Sequence, residues 1–300
     1  MERNALASCT LCPRSCKADR LHGETGFCRA GQTIKAARAA LHFWEEPCLS
    51  GTRGSGTIFF SHCTLQCVFC QNREISARQT GAPVTISRFA QICLELQEQG
   101  AHNINLVTPT HFVPQITQGI SLARKRGLVL PVVYNSGGYE TPETVQELRG
   151  TVDVFLPDFK YWDNRLARKY SGAPDYREWA QKSLAQMVKQ TGSPQFDQEG
   201  MLRRGVIVRH LMLPGMMEDS KAIIRYLHET YGEQIILSIM NQYTPMEFVR
   251  YYPEINRTVN QEEYDGLLDF AISIGVETAY VQEQGTQKES FIPPFDRRGL

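Results

Sequence analysis

The sequence has no long hydrophobic run, no net charge and no basic tract. No apolar stretch approaches the ~20 residues that a membrane helix needs. The 32 basic residues are balanced by 32 acidic ones, which argues against the basic surface that a nucleic-acid interface requires. The first residues also lack the apolar core of a signal peptide. We therefore expect a cytoplasmic globular protein with neither a membrane nor a nucleic-acid partner.

Cysteine is absent from the chain after residue 93, although nine cysteines are present and eight of them precede residue 71. In a secreted protein this number would indicate disulfides, but in a reducing compartment such clustering indicates metal ligands. The hydrophobic share of 42% and the charged share of 21% are ordinary for a globular protein. A chain of 300 residues is long enough for one large α/β barrel or for two smaller domains.

One group of cysteines, Cys63, Cys67 and Cys70, has the spacing Cys-x3-Cys-x2-Cys and follows the apolar run 57–60. Three thiolates within eight residues can hold three irons of a cubane 4Fe–4S cluster, whose full set of protein ligands is four. The fourth iron would keep an open coordination position, which a catalytic centre needs. Two other interpretations stay open, namely a zinc half-site completed by His62 and buried core thiols.

A second group precedes residue 30 with the spacing Cys-x2-Cys-x3-Cys-x11-Cys. Its members are Cys9, Cys12, Cys16 and Cys28. This segment has almost no aliphatic run, so by itself it cannot bury enough apolar surface to fold. A structural metal could contribute on the order of 10 kcal/mol to such a segment. Zinc, a second iron–sulfur cluster and unliganded thiols all fit the pattern. Cys93 lies on the apolar face of a predicted helix and is interpreted as packing, and Cys48 receives no role.

Strand-like and helix-like patterns alternate six times after residue 50. The predicted strands are 57–60, 103–108, 129–134, 152–156, 205–213 and 234–240, and the predicted helices are 85–99, 114–126, 142–149, 175–190, 219–231 and 261–273. This alternation predicts parallel strands joined by right-handed crossovers. Only one more strand candidate follows, at 277–281, which is too few for a closed eight-unit barrel.

We therefore predict an α/β fold, a partial (βα)6 TIM-like barrel preceded by a cysteine-rich N-terminal metal-binding segment. The predicted boundaries are 1–50 for the metal-binding segment, 51–285 for the barrel and 286–300 for a C-terminal tail. In such folds the chemistry lies at the carboxyl ends of the strands. Polar residues of this chain cluster at the predicted strand ends, as does the loop that carries Cys63, Cys67 and Cys70.

The Cys63–Cys70 motif, with the aromatic Phe69 before its last cysteine, resembles the cluster motif of the radical S-adenosylmethionine (SAM) superfamily. Further passages extend the resemblance over nearly the whole chain to pyruvate formate-lyase-activating-enzyme-like proteins, in the branch that activates glycyl radical enzymes. These passages are 9–16, 54–60, 63–72, 135–139, 158–161, 209–215 and 242–245.

The resemblance implies an oxidoreductase in which an iron of a 4Fe–4S cluster binds SAM. One-electron reduction, by a donor such as flavodoxin or ferredoxin, would cleave SAM to methionine and a 5′-deoxyadenosyl radical. That radical would take a hydrogen atom from a glycine of a glycyl radical enzyme, the expected protein substrate. Two alternatives stay open, a small-molecule substrate and a non-enzymatic iron–sulfur sensor.

The resemblance also implies site residues. Cys63, Cys67 and Cys70 would be the cluster ligands and hence catalytic. The cofactor-binding candidates are Phe69, Thr108, Asn135, Ser136, Gly137, Asp158, Lys160 and His210. The sequence 108–111 is Thr-Pro-Thr-His, where relatives carry a Gly-Gly-Glu turn that holds the SAM amino group. His111 is therefore the candidate substitute. Residues 163–165 are interpreted as a surface loop.

Overall fold

The computed structural model describes residues 5–282 and 293–300. The predicted C-terminal tail is thus described only from residue 293, and residues 1–4 and 283–292 lie outside the described residues. Among the described helices, none is long and apolar enough to cross a membrane.

The described part of the chain contains ten strands and nine α-helices. The strands are β1 (Ile34–His42), β2 (Ser55–Phe60), β3 (Ala82–Val84), β4 (Ile104–Val107), β5 (Val132–Ser136), β6 (Val154–Pro157), β7 (Gln195–Phe196), β8 (Leu202–Leu211), β9 (Ile236–Met240) and β10 (Ala279–Val281). The helices are α1 (Pro47–Ser50), α2 (Arg73–Ser76), α3 (Ile86–Glu98), α4 (Val113–Lys125), α5 (Pro142–Glu147), α6 (Asn164–Ser171), α7 (Tyr176–Thr191), α8 (Met217–Tyr231) and α9 (Gln261–Ser273).

Seven parallel strands form the barrel wall in the order β2-β4-β5-β6-β8-β9-β10. Each connection returns to the neighbouring strand, so the helices cover the outer face and the wall curves one way. Six strand–helix units are followed by the short seventh strand β10. The sheet path ends at β10 on one side and at β3 on the other, so the barrel is open among the described residues. The prediction of a partial (βα)6 barrel is confirmed.

The N-terminal segment contributes a strand that was not predicted. β1 runs antiparallel to β2 and pairs Ala39 with Ile58. Four of its nine residues are alanines, a residue depleted in strands, so the local sequence gives little strand signal. The C-terminal residues extend this edge, because Arg297 N donates to Ala37 O at 2.9 Å and Ala39 N donates to Arg298 O at 2.8 Å.

The lower part of the barrel interior, toward the amino-terminal ends of its strands, is closed by α1. Cys48 and Leu49 of this helix pack with Val133, Leu156 and Ile207 in one buried cluster. Side chains alternate between the two faces of a strand. Residues two positions further along β5 and β8 therefore also point into the barrel. Helix α1, which carries Cys48, therefore fills the barrel interior beneath its mouth. We call this helix the plug.

Charged groups lie directly above this plug. Arg209 of β8 donates from Nε to Glu46 Oε1 at 2.7 Å and from Nη2 to Glu46 Oε2 at 2.5 Å, and it also binds Glu45. Asn105 of β4 donates to Glu45 Oε1 at 2.8 Å. All three charged side chains are at most 12% exposed. Burial acts to raise the pKa of Glu46, but the Arg209 guanidinium outweighs burial and holds that pKa below its usual value.

Two local expectations are corrected by the structure. The strand predicted at 129–134 occupies Val132–Ser136, and Val129 is 76% exposed in the turn before it. Residues 163–165 are not a surface loop, because Asp163 accepts a hydrogen bond from Arg165 N at 2.8 Å and caps α6. The eight residues of α6 are mostly polar or charged and Ala167 and Tyr170 are its buried apolar positions, so the segment resembles a polar loop in sequence. Cys93 is fully buried in α3, as predicted.

Replacement of Arg209 by leucine should destabilise the protein by about 3–5 kcal/mol, because two buried carboxylates would lose their counter-charge. The matched control is Arg203→Leu on the same strand, whose side chain is 44% exposed and lies 3.9 Å from Asp197. The control should change the free energy of unfolding by less than about 0.5 kcal/mol. Urea denaturation of both variants measures the difference. Equal stabilities would contradict a structural role for the Arg209 ion pairs.

Glu140 is a second buried acid, in the loop that follows β5. Its side chain is 0% exposed. Oε1 accepts a hydrogen bond from Thr110 Oγ1 at 2.8 Å, whereas Oε2 has no hydrogen-bond partner. Burial raises the pKa of Glu140 to about 7, against weaker lowering by the hydroxyls of Thr110 and Ser136. The carboxyl is therefore protonated in the folded state at a pH where the unfolded chain is already ionised.

The free energy of unfolding should consequently fall as the pH rises from about 4.5 to about 7. Over this range the unfolded chain loses the Glu140 proton and the folded chain keeps it. The total loss is up to about 3 kcal/mol. A Glu140→Gln variant keeps an acceptor for Thr110 and should lack this part of the pH dependence. Denaturation of both proteins between pH 4 and 8 provides the test. Parallel stability curves would show that Glu140 is ionised in the folded protein.

Candidate active site

A cavity of about 360 Å³ opens at the carboxyl ends of the barrel strands. The cavity is lined by Cys63, Cys67 and Cys70. All three belong to the loop after β2, residues 61–72, which we call the cluster loop. The loop is held from outside the barrel, since Val68 N donates to Tyr170 O at 2.9 Å. The three cysteines thus converge on one space at the position where parallel α/β folds carry their chemistry.

Each of the three sulfurs is positioned to accept a hydrogen bond. Ser171 Oγ donates to Cys67 Sγ at 2.9 Å and Ser76 Oγ lies 3.4 Å from Cys70 Sγ. Leu65 N lies 3.4 Å from Cys63 Sγ. Donors around metal-ligating groups fix their orientation and tune the metal. This environment therefore suits sulfurs that carry negative charge.

Burial and mutual repulsion oppose ionisation of the thiols of Cys63 and Cys70. Burial, followed by the neighbouring Cys67 and Cys70, raises the pKa of Cys63 to about 12, and burial also raises the pKa of Cys70. Three thiolates in this space therefore need a positively charged partner. The irons of a 4Fe–4S cluster are such a partner, and the donor set of three cysteines fits the group with one iron left open.

A single metal ion does not fit the same residues. Within the described residues, no group of three or more Cys, His, Asp or Glu side chains is arranged to hold one ion. Zinc requires thiolates about 2.3 Å from a common centre, whereas a cubane spreads its ligands over separate irons. His62, the candidate fourth zinc ligand, does not line the cavity and instead packs edge-on against His111 and Phe112. These observations oppose the zinc half-site interpretation.

Phe69 forms an aromatic wall beside the cysteines. It lines the cavity, is 6% exposed, and packs against Tyr161 and Tyr243 with ring centroids 6.4 and 5.9 Å away. Both rings also lie close to the cluster loop in the core. The position is compatible with the predicted cofactor contact, in which the ring would offer an aromatic face to the adenine, and equally with packing of the barrel mouth.

The polar wall of the cavity consists of residues from three adjacent strand ends. Its members Thr108, Asn135, Ser136, Gly137, Asp158 and Lys160 all line the cavity. Gly137 allows the cluster loop to approach closely, because a Cβ built on it would lie 2.8 Å from Leu65 Cδ1. Hydroxyl, amide and backbone groups at this wall can bind the polar ends of an amino-acid-like ligand.

The pair Asp158–Lys160 faces the cavity and is not a solvated surface pair. Lys160 Nζ donates to Asp158 Oδ2 at 2.5 Å, and the two side chains are 17% and 24% exposed. Burial acts to lower the pKa of Lys160, but the Asp158 carboxylate outweighs it and holds that pKa above its usual value. Lys160 is thus a fixed positive charge at the cavity wall.

His210 is not a cavity residue, which corrects its assignment as a cofactor ligand. Its Nδ1 lies 2.9 Å from Phe159 O and its Nε2 lies 2.9 Å from Ser220 Oγ of α8. Burial lowers its pKa to about 4, so the ring is neutral. Because side chains alternate along β8, Arg209 faces the cavity in its place.

His111 does not face this cavity either, which corrects its assignment as a substitute ligand for the SAM amino group. It lines a second, small cavity together with Cys9, Cys12, Cys16 and Cys28. The N-terminal cysteines therefore come together, as the spacing predicts, but apart from the larger cavity. Burial raises the pKa of Cys12 to about 12, and the neighbouring thiols of the other three cysteines act in the same direction.

Several site residues were missed from the sequence. Glu45 and Glu46 line the cavity. The available sequence signal for these two site residues was a pair of adjacent acids in a weakly charged segment. Gln282 lines it as well and donates from Nε2 to Gln242 Oε1 at 3.0 Å. Ser171 contacts Cys67, from which it is separated by 104 positions in the sequence. No local sequence pattern predicts that contact.

The sequence profile of the Radical SAM superfamily matches residues 57–227, more than half of the chain. An uncharacterized protein of Methanocaldococcus jannaschii is 29% identical over 288 residues, which cover 93% of this chain and 78% of that protein. The matched profile includes the loop with Cys63, Cys67 and Cys70.

Two solved structures share the fold. Streptococcus suis SuiB bound to S-adenosylmethionine matches with a TM-score of 0.50 and 12% identity, over 75% of this chain and 49% of SuiB. HydG, a maturase of the [FeFe]-hydrogenase, matches with a TM-score of 0.50 and 15% identity, over 77% of this chain and 52% of HydG. The chain thus spans about half the length of these two proteins. Given the matched profile and the three cysteines that converge at the barrel mouth, this chain belongs to the Radical SAM superfamily.

Proposed function

We propose that this chain cleaves SAM reductively in the larger cavity and directs the resulting 5′-deoxyadenosyl radical to a glycine of a protein partner. The observation that carries the proposal is the convergence of Cys63, Cys67 and Cys70 on one cavity at the barrel mouth. When bound there, a 4Fe–4S cluster supplies an electron and an open iron that binds the amino-acid part of SAM.

The residues of this chain would bind and orient SAM. Lys160 carries a positive charge into the cavity and suits the SAM carboxylate. Asn135 and Ser136 offer amide and hydroxyl groups for the carboxylate or the ribose. Phe69 offers an aromatic face for the adenine. SuiB, which shares the fold, was solved with SAM bound, and this supports the assignment.

The floor of the cavity would keep water away from the reactive species. Arg209 is hydrogen-bonded to both Glu45 and Glu46, so the polar groups above the plug have partners. Below them, Cys48 and Leu49 pack into the apolar interior. A radical formed in the cavity would thus meet hydrogen-bonded and apolar side chains, and enclosure of this kind suppresses side reactions.

The rim of the cavity supports a macromolecular target. The barrel is open among the described residues, because the sheet path ends at β10 on one side and at β3 on the other. Trp44 and Val281 line the cavity on this side and are 63% and 52% exposed. Exposed apolar side chains beside an opening suit a polypeptide loop better than a small polar metabolite. The volume of about 360 Å³ also lies within the range of small-molecule sites, so a metabolite is the second candidate.

The first test concerns SAM cleavage. Anaerobically reconstituted and reduced protein incubated with SAM should release 5′-deoxyadenosine, detected by liquid chromatography and mass spectrometry. Cys67→Ala should lower the yield by at least about 100-fold, since the ligand set would be incomplete. Cys93→Ala, which changes a buried thiol outside the cavity, should retain the activity. A product yield equal to that of Cys67→Ala would favour the non-enzymatic sensor.

The second test locates the hydrogen atom. Peptides with glycine deuterated at Cα should transfer deuterium to 5′-deoxyadenosine, because the bond to Cα breaks and a bond to C5′ forms. The same peptides with deuterated alanine are the matched control and should transfer none. Deuterium that enters only from a labelled metabolite extract would assign the site to a small molecule and reject the glycine target.

A further inference from the structure

Four cysteines of the N-terminal segment line the small cavity of about 10 Å³ near the barrel mouth. They are Cys9, Cys12, Cys16 and Cys28. All four are free thiols, and each except Cys16 is buried. Free buried thiols are common in cores, but four on one cavity from a 20-residue segment are the ligand number of an iron–sulfur or zinc site.

The backbone is shaped around these thiols. Ser15, Lys17 and Arg29, each adjacent to one of the cysteines, have positive φ angles of 41°, 55° and 60°. Left-handed conformations of non-glycine residues are unfavourable by about 1–2 kcal/mol each. A Cβ built on Gly26 would lie 2.2 Å from Cys16 Sγ, so only glycine lets this thiol take its position. The turns therefore place the four side chains on one small cavity despite local strain.

A buried nitrogen without a partner also lines this cavity. His111 is 2% exposed, and its Nε2 donates to Ser61 O at 2.8 Å, which leaves Nδ1 as an acceptor. Nδ1 has no hydrogen-bond partner. An unpaired buried acceptor is unfavourable by about 1–3 kcal/mol, and it adds a polar atom to the wall of the cavity that the four cysteines share.

The segment also packs against the barrel through its own side chains. Ala5, Leu11 and Ala30 belong to the main hydrophobic core. Arg20 is 2% exposed and donates to His111 O at 2.6 Å and to Gly31 O at 3.1 Å. The segment is thus held by the barrel, which weakens the argument for a purely structural zinc.

The cluster loop lies between the small cavity and the larger cavity. Thr64 lines the small cavity, whereas its neighbours Cys63 and Leu65 line the larger one. Arg14 Nε donates to Thr64 O at 3.1 Å, and Gln66 Nε2 donates to Phe27 O at 3.0 Å. A redox group in the small cavity would therefore lie across one peptide segment from the SAM-cleaving centre.

The proposed function requires one electron per SAM cleaved. The position of the two cavities on either side of the cluster loop offers a route for this electron. We propose that Cys9, Cys12, Cys16 and Cys28 ligate a second 4Fe–4S cluster that relays this electron across the cluster loop. A low-potential protein donor is oxidised by one electron, the second cluster is reduced and then reoxidised, and the electron passes to the SAM-cleaving centre. Cys16, the exposed thiol of the four, marks the side where the donor meets the chain. The relay rests on the proposed function, whereas the cluster itself does not.

Metal content tests the cluster. The triple variant Cys63→Ala/Cys67→Ala/Cys70→Ala and the double variant Cys12→Ala/Cys28→Ala are reconstituted anaerobically with iron and sulfide. About eight irons per chain are expected for the unchanged protein and about four for each variant. Cys93→Ala should match the unchanged protein. After dithionite reduction the triple variant should show a cubane electron paramagnetic resonance signal that SAM leaves unchanged. Zinc or no metal in this variant overturns the proposal.

If the double variant fails to fold, the Cys16→Ser variant, which alters an exposed thiol, is tested in its place. This variant should fold, keep a SAM-responsive signal and lose or convert the second one. Two unaltered signals would show that Cys16 is not a ligand and overturn the four-cysteine assignment.

The choice of donor tests the relay. With reduced flavodoxin, the Cys12/Cys28 variant should form 5′-deoxyadenosine at least about tenfold more slowly than the unchanged protein. With dithionite, a small reductant that needs no relay, the same variant should retain its rate within about threefold. Equal losses with both donors, or no loss with flavodoxin, reject the relay. If the unchanged protein forms no 5′-deoxyadenosine while the triple variant holds iron, the proposed function fails and the second cluster stands.

Discussion

The barrel mouth depends on the burial of three thiols of one loop in a shared space. Burial and mutual repulsion raise the pKa of Cys63 to about 12, so the chain by itself disfavours the charged form that binds metal. It nevertheless surrounds these sulfurs with donors, from the hydroxyls of Ser171 and Ser76. Such donors suit a state in which a metal holds these sulfurs as thiolates.

The other charged side chains inside the barrel also have partners of opposite charge. Arg209 is matched by Glu45 and Glu46, and Lys160 is matched by Asp158. A buried ion without a partner would cost several kcal/mol. The two acids that neutralise Arg209 come from the segment between β1 and α1. The N-terminal part of the chain is therefore needed to complete the barrel interior, and it also carries four cysteines to the outer side of the cluster loop.

The sequence predicts what local patterns encode. Strand–helix alternation predicts the partial barrel, and the spacing of Cys63, Cys67 and Cys70 predicts their convergence. It does not predict which face of a strand points inward: Arg209 and His210 are adjacent, and only tertiary packing decides that Arg209 lines the cavity. Alanine-rich β1 lacks an intrinsic strand signal, and the turn 108–111 gives no sign that Thr108 and His111 reach different cavities.

One helix end connects the two groups of cysteines. The last carbonyls of a helix have no intrahelical partner, and a cation suits the negative end of its dipole. At the end of α6 these carbonyls belong to Ser171 and Gly172, and both accept hydrogen bonds from Arg14 of the N-terminal segment. The hydroxyl of the same Ser171 donates to Cys67. Ser171 thus contacts both the segment that carries the N-terminal cysteines and a sulfur of the cluster loop, which links the geometry of the two sites.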